Sequence, residues 1–138
     1  MKISLIMTND VVTVDKDETL AALHEIFKKK EFYHLLVAEN NKLLGVISDR
    51  DLFKAISPYV GTRVELSRDK TTMNRHAHEI MNDKPITVSE DQMITEAVNL
   101  LMGHNISCLP VVSENRHILG IVTMKDIMCA NITLRDNV

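Results

Sequence analysis

The feature that most constrains this chain is that it repeats itself. Ile6-Met7 returns as Ile80-Met81, and Val12-Thr13-Val14 returns as Ile86-Thr87-Val88, both at a spacing of 74 residues. Asp17 and Asp91, Leu35 and Leu109, Val37 and Val111, and Asn41 and Asn115 keep the same spacing. One extra residue near His117 raises it to 75. Leu44-Gly45-Val46-Ile47-Ser48-Asp49-Arg50-Asp51 then runs against Leu119-Gly120-Ile121-Val122-Thr123-Met124-Lys125-Asp126. The chain is a duplication, so one supersecondary unit must be built twice. At roughly fifty residues neither copy buries enough surface to stand comfortably alone.

Each copy reads as β-α-β-β-α. Val11 to Val14 and Ile86 to Val88 are short β-branched strands. Asp15 and Asp17, or Ser89 and Asp91, offer N-cap oxygens for the helix that follows. Leu20, Leu23, Ile26 and Phe27 recur at helical spacing, as do Ile94, Ala97, Val98 and Leu101. Strands follow at His34 to Ala38 and Cys108 to Val112. The turn formers Glu39-Asn40-Asn41 and Ser113-Glu114-Asn115 lead to further strands at Leu43 to Ile47 and Ile118 to Val122. A second helix starts near Asp49 and Met124. The expected fold is α/β (α+β), two such repeats packed face to face about a pseudo-two-fold axis. The expected divisions are 1–56, a polar linker over 57–79 with a helical turn at Val64 and Leu66, and 80–138. The methionines are expected to serve core packing.

Composition narrows the function classes. Of 138 residues 45% are hydrophobic and only 4% aromatic, with no Trp, so the core must be aliphatic. A net charge of −3 argues against a general nucleic-acid binder. No stretch approaches the ~18 apolar residues of a membrane helix, and Met1 to Met7 is too short for a secretory signal. Cys108 and Cys129 are not in a CxxC arrangement, which points to reduced thiols in a cytoplasm.

The chemistry concentrates where a strand ends and a helix begins. Ser48, Arg50 and Asp51 repeat as Thr123, Lys125 and Asp126. Unpaired backbone N–H groups at a helix start attract anions, and Ser or Thr adds a donor. Arg50 or Lys125 supplies charge for a phosphate. Asp51 or Asp126, an acceptor-only group, can take hydrogen bonds from ribose hydroxyls. The same residues also suit plain helix capping, with Ser48 and Thr123 as caps and the two aspartates as their partners.

The Gly-apolar-apolar-Ser/Thr-x-x-Asp ending, the Val-Thr-Val opening and the Leu-Pro-Val-Val strand at Leu109 to Val112 resemble the cystathionine-β-synthase (CBS) domain. The resemblance runs from about Ile6 to Cys129. It implies a tandem pair, a Bateman module, with two clefts between the repeats that bind AMP, ADP, ATP or S-adenosylmethionine as a regulatory ligand. By the resemblance one cleft would use Thr123, Lys125 and Asp126 with Val12 and Phe32 around the base. The other would use Ser48, Arg50 and Asp51 with Ile86, Ile106 and Ser107. His34 stands where a cleft mouth would be, placed for a phosphate or for packing. Two departures matter. Leu36 stands where the second copy has Pro110, and Phe32-Tyr33-His34 stand where it has Ile106-Ser107-Cys108. The bulkier side chains would either fill one cleft or stack a base, so the two clefts are expected to differ. Asp49, opposite Met124 in the other copy, should disfavour polyphosphate beside Arg50.

Rival chemistry has less support. Ser48 lacks a Gly-x-Ser-x-Gly setting, so no catalytic residues are assigned and the chain is not read as an enzyme. His76-Ala77-His78-Glu79 could hold an adventitious cation, but no Cys or third His lies near in sequence; it reads as solvated linker, and no metal is expected. Two functions remain: a nucleotide-sensing module and a ligand-free dimerisation or interaction scaffold. In either, the wide apolar helix faces predict a homodimer. With no catalytic domain attached, output is expected to pass through a separate effector protein.

Overall fold

β-Branched and leucine-rich runs make the strands, and each is short because a polar turn interrupts it. The structure, a computed structural model, describes residues 1–29 and 33–136, the stretch 131–136 by backbone alone. Phe32 lies outside the described residues. The chain forms two compact units that interleave with the sequence repeats. A central unit holds Val12–Asn40 and Leu44–Lys84, and a C-terminal unit holds Met1–Val11, Asn41–Leu43 and Pro85–Val138.

The first repeat supplies β1 (Thr13–Val14), α1 (Leu20–Lys29), β2 (His34–Glu39), β3 (Lys42–Ser48) and α2 (Asp49–Ala55). Strand order is β1-β2-β3, and β1 lies parallel to β2 with Thr13 opposite Leu36 and Val14 opposite Val37. Asn40 (φ 53°) and Asn41 (φ 63°) take the left-handed conformation between β2 and β3. A two-residue hairpin turn requires that, and Asn tolerates it. The central core joins Val14, Leu20, Leu23, Leu35, Val37, Ile47 and Leu52 with Ala77. Alternate strand residues thus meet one face of α1.

The segment expected as linker is ordered by one carboxylate. Asp69, in α3 (Ser67–Thr71), accepts from the Ser57 hydroxyl at 2.7 Å and from the Leu66 N–H at 2.8 Å. Those two donors hold its carboxyl below the usual range, against the opposing effect of burial. The helix starts at Ser67, after the Val64 and Leu66 expected to form it, and both of those side chains are exposed. A further turn, α4 (Ala77–Ile80), places fully buried Ala77 in the central core.

The second repeat supplies α5 (Ile94–Gly103), β4 (Cys108–Val112), β5 (Ile118–Thr123) and α6 (Met124–Asp136). The antiparallel β4–β5 pair shifts register between Val111 and Val112. The strand expected over Ile86 to Val88 is reduced to one parallel bridge, Val88 to Val111. The Val88 N–H donates to Pro110 O at 3.0 Å and the Val112 N–H to Val88 O at 2.9 Å. Its core is Ile3, Val88, Ala97, Leu101, Leu109, Val111 and Val122.

Two local expectations need correction. Asp15 does not cap α1; its Oδ1 accepts from the Asp17 N–H, while Thr19 Oγ1 accepts from the Ala22 N–H at 3.2 Å. In the second copy the N-cap is Met93, without a side-chain bond. Nor are the methionines uniformly core. Met7, Met81 and Met124 pack against cores, whereas Met102 and Met128 are exposed.

Candidate functional site

Two strand-to-helix corners carry the candidate residues. At the β3–α2 corner Ser48 leaves the strand in extended conformation, and its Oγ accepts from the Asp51 N–H at 3.1 Å. Asp51 Oδ2 accepts from the Ser48 N–H at 2.9 Å, closing a reciprocal cap. At the β5–α6 corner the Thr123 N–H donates to Asp126 Oδ2 at 2.9 Å and the Asp126 N–H to Thr123 Oγ1 at 3.3 Å. The Thr123 hydroxyl also lies 3.1 Å from that same carboxylate oxygen. Helix capping is therefore built at both corners. Arg50 and Lys125 extend beside them, exposed.

A glycine precedes each corner, and a second segment explains why. The Thr8 N–H donates to Ile121 O at 2.9 Å and the Ile121 N–H to Thr8 O at 3.0 Å. In the central unit Asn82 and Val46 exchange the same pair of bonds, at 2.9 and 3.1 Å. A Cβ on Gly120 would stand 2.7 Å from Thr8 O, and one on Gly45 would stand 2.8 Å from Asn82 O. Backbone passes too close for any side chain.

Thr8 and Asn82 are thus site neighbours that the sequence reading missed. The signal was present: they occupy the same repeat position, directly after Met7 and Met81. Their side chains act differently. The Thr8 hydroxyl donates to Asp126 Oδ1 at 3.1 Å, across 118 residues of sequence. Asn82 instead turns its amide oxygen to the Lys84 N–H at 3.1 Å.

His34 begins β2, half-buried, with Tyr33 O accepting from the Asp49 N–H at 3.0 Å beside it. Burial pushes the imidazole below its ordinary range, opposed by the charges of Asp49 and Asp51. Its counterpart Cys108 is buried, and its thiol is pushed up to about 12. Of the residues assigned to the base, Val12 packs against the central core, while Ile86 and Ile106 pack against the C-terminal one. Ser107 is exposed at the start of β4.

The His76 and His78 side chains, each 45% exposed, lie against one another. The rings stack with centroids 5.6 Å apart and planes within 4°, because His76 is extended before α4 begins. His76 Nδ1 lies 3.5 Å from Glu79, and His78 Nε2 lies 3.9 Å from Asp17. Among the described residues no group of three or more His, Cys, Asp or Glu is placed to hold a metal ion.

Comparison with known proteins decides the family. The CBS domain family matches residues 3–58 and again residues 77–132. The chain belongs to the CBS domain family. As a tandem CBS pair it is similar to an uncharacterized protein of Methanopyrus kandleri, 34% identical over 122 residues, 86% of this chain and 57% of that protein. The chain thus spans little more than half of that relative's length. Among solved structures, the CBS domain pair of protein MJ0100, in complex with 5′-methylthioadenosine and S-adenosyl-L-methionine, superposes with a TM-score of 0.77. It is 25% identical, over 94% of each chain. The cytosolic domain of the Mg2+ channel MgtE, in complex with ATP, superposes at 0.71 with 27% identity, over 91% of this chain and 46% of that one. Among the described residues of this CBS pair no helix is long and apolar enough to cross a membrane.

Proposed function

We propose that this CBS pair is a regulatory, non-catalytic module that binds an adenosine-containing nucleotide at its two strand-to-helix corners. The observation that carries this reading is the repetition of one constellation. A hydroxyl cap, a carboxylate and a cation stand at the same offsets beside a glycine-backed strand, once in each unit. Relatives at 25% and 27% identity bind S-adenosylmethionine with methylthioadenosine, and ATP. Here Thr123, Lys125 and Asp126 would hold one ribose-phosphate, and Ser48, Arg50 and Asp51 the other. The apolar surroundings of the bases fall to Val12 and Phe32, and to Ile86, Ile106 and Ser107, with His34 near a phosphate. Asp49 sets its charge beside Arg50, so the Arg50 corner favours AMP over ATP. Output passes to a second chain, in the cytoplasm.

Thermal melting with AMP, ADP, ATP, S-adenosylmethionine and guanine nucleotides tests this. A ligand present at ~100 times its Kd stabilises the folded state by about 2.7 kcal/mol. The expected result is an upward shift with an adenosine ligand and none with guanine nucleotides. Asp126→Ala should weaken binding at one corner by roughly 1.5–3 kcal/mol, the worth of a hydrogen bond to a charged group. Unchanged binding with a much earlier melt would leave capping as the whole role of that carboxylate.

A second reading, a ligand-free dimerisation scaffold, draws on a different observation. Phe53 on α2 and Met128 on α6 occupy the same repeat position and are 66% and 60% exposed. The apolar positions suit a homodimer with or without ligand. Absence of any nucleotide-dependent shift would favour this reading.

A further inference from the structure

We infer that Thr8 sets the sugar specificity of the Asp126 corner, making it tolerant of deoxyribose while the Asp51 corner demands a full ribose. The inference rests on the nucleotide-binding reading above and goes beyond it by naming a residue and a discrimination. A carboxylate offers about four lone-pair sites. At Asp126, Oδ2 already faces the Thr123 N–H and hydroxyl, at 2.9 and 3.1 Å, and Oδ1 faces the Thr8 hydroxyl at 3.1 Å. At Asp51 the Ser48 N–H donates to Oδ2, and no hydroxyl among the described residues is bonded to Oδ1 as Thr8 is at the other corner. The equivalent of Thr8 at that corner, Asn82, is turned to Lys84.

A site that rejects an analogue lacking a hydroxyl does so because its own acceptor is left unpaired. At the Asp51 corner, removing one ribose hydroxyl leaves such an acceptor behind. At the Asp126 corner the Thr8 hydroxyl, already within reach, keeps Oδ1 paired. A deoxyribose ligand therefore loses little there. The full ribose must also compete with Thr8 for the carboxylate, which lowers its own advantage further.

Calorimetry with AMP, 2′-deoxy-AMP and 3′-deoxy-AMP is the test. It is run on Asp51→Ala, which leaves the Asp126 corner, and on Asp126→Ala, which leaves the Asp51 corner. A hydrogen bond to a charged group corresponds to roughly tenfold or more in affinity. The Asp51 corner should prefer AMP over the poorer deoxy ligand by about that factor, and the Asp126 corner by no more than about threefold. Adding Thr8→Val to Asp51→Ala should raise the second ratio toward the first, whereas Thr8→Ser should leave it small. Melting without ligand checks that each variant is folded. Equal ratios at the two corners, or a ratio that Thr8→Val does not move, would overturn the role of Thr8 while leaving nucleotide binding intact. Wild-type protein that gives no heat with AMP, ATP or S-adenosylmethionine would overturn the nucleotide reading, and this inference with it.

Discussion

The β3–α2 and β5–α6 corners share a backbone and differ in what surrounds it. Both close a glycine-backed strand against a second segment through paired N–H···O bonds, and both cap their helix reciprocally. Around Asp51 stand a second carboxylate, Asp49, an arginine and a half-buried histidine. Around Asp126 stand Met124, a lysine and the Thr8 hydroxyl, and the buried Cys108 lies opposite Thr123 in the strand pair. Duplication preserved the groups whose geometry the backbone dictates. Divergence fell on the side chains around that backbone, some exposed, such as Arg50 and Lys125, and some packed, such as Cys108 and Met124. The two corners thus share a scaffold and differ in charge, titration and hydrogen-bonding capacity.

The largest effects should come from filling the close approach. Gly45→Ala places a Cβ against Asn82 O and the Met81 sulfur, and Gly120→Ala places one against Thr8 O and the Met7 sulfur. Backbone oxygens cannot yield as a flexible side chain can. Each variant should therefore lose roughly 1–3 kcal/mol, typical of overpacking. Urea unfolding measures it; a near-zero cost for one glycine alone would show that the two scaffolds are not equivalent.

Next come the caps. Ser48→Ala and Thr123→Ala should each cost about 0.5–2 kcal/mol. Thr123→Ala should be the costlier, since its hydroxyl reaches the Asp126 carboxylate as well as accepting the cap bond. Equal losses on thermal melting would mean that the extra contact contributes nothing.

The smallest effect separates the corners by pH. His34 is held below its unfolded value near 6.5, so the unfolded chain takes up the proton first as pH falls. The stability that this group contributes is complete above pH ~6.5. It is lost as pH drops from there through the lowered folded value. His34→Asn should flatten the wild-type decline in melting temperature as pH falls from neutrality through and below ~6.5. The buried Cys108 thiol stays protonated throughout that window, and Cys108→Ser should leave the slope unchanged. Identical slopes for wild type and His34→Asn would remove the histidine from the comparison.

Much of this was legible in the residues. The strand-to-helix boundaries at Ser48–Asp49 and Thr123–Met124 lie where the strand-ending hydroxyl residue placed them. Those signals are local, because a strand end and a helix cap are decided within four or five residues. The Thr19 cap was missed since several nearby oxygens compete for the same N–H groups, and packing chooses among them.

By itself the sequence determined the duplication, the family and the capping residues at each corner. Only the tertiary structure decided which segment backs which strand. Residues 1–11 stand in the C-terminal unit and residues up to Lys84 in the central one, so each repeat's opening strip lines the strand of the other copy. Backbone bonds between positions as far apart as Thr8 and Ile121 leave no periodic trace. Thr8 reaches Asp126 for the same reason: the Gly120 gap admits its backbone, and that approach sets its hydroxyl 3.1 Å from the carboxylate.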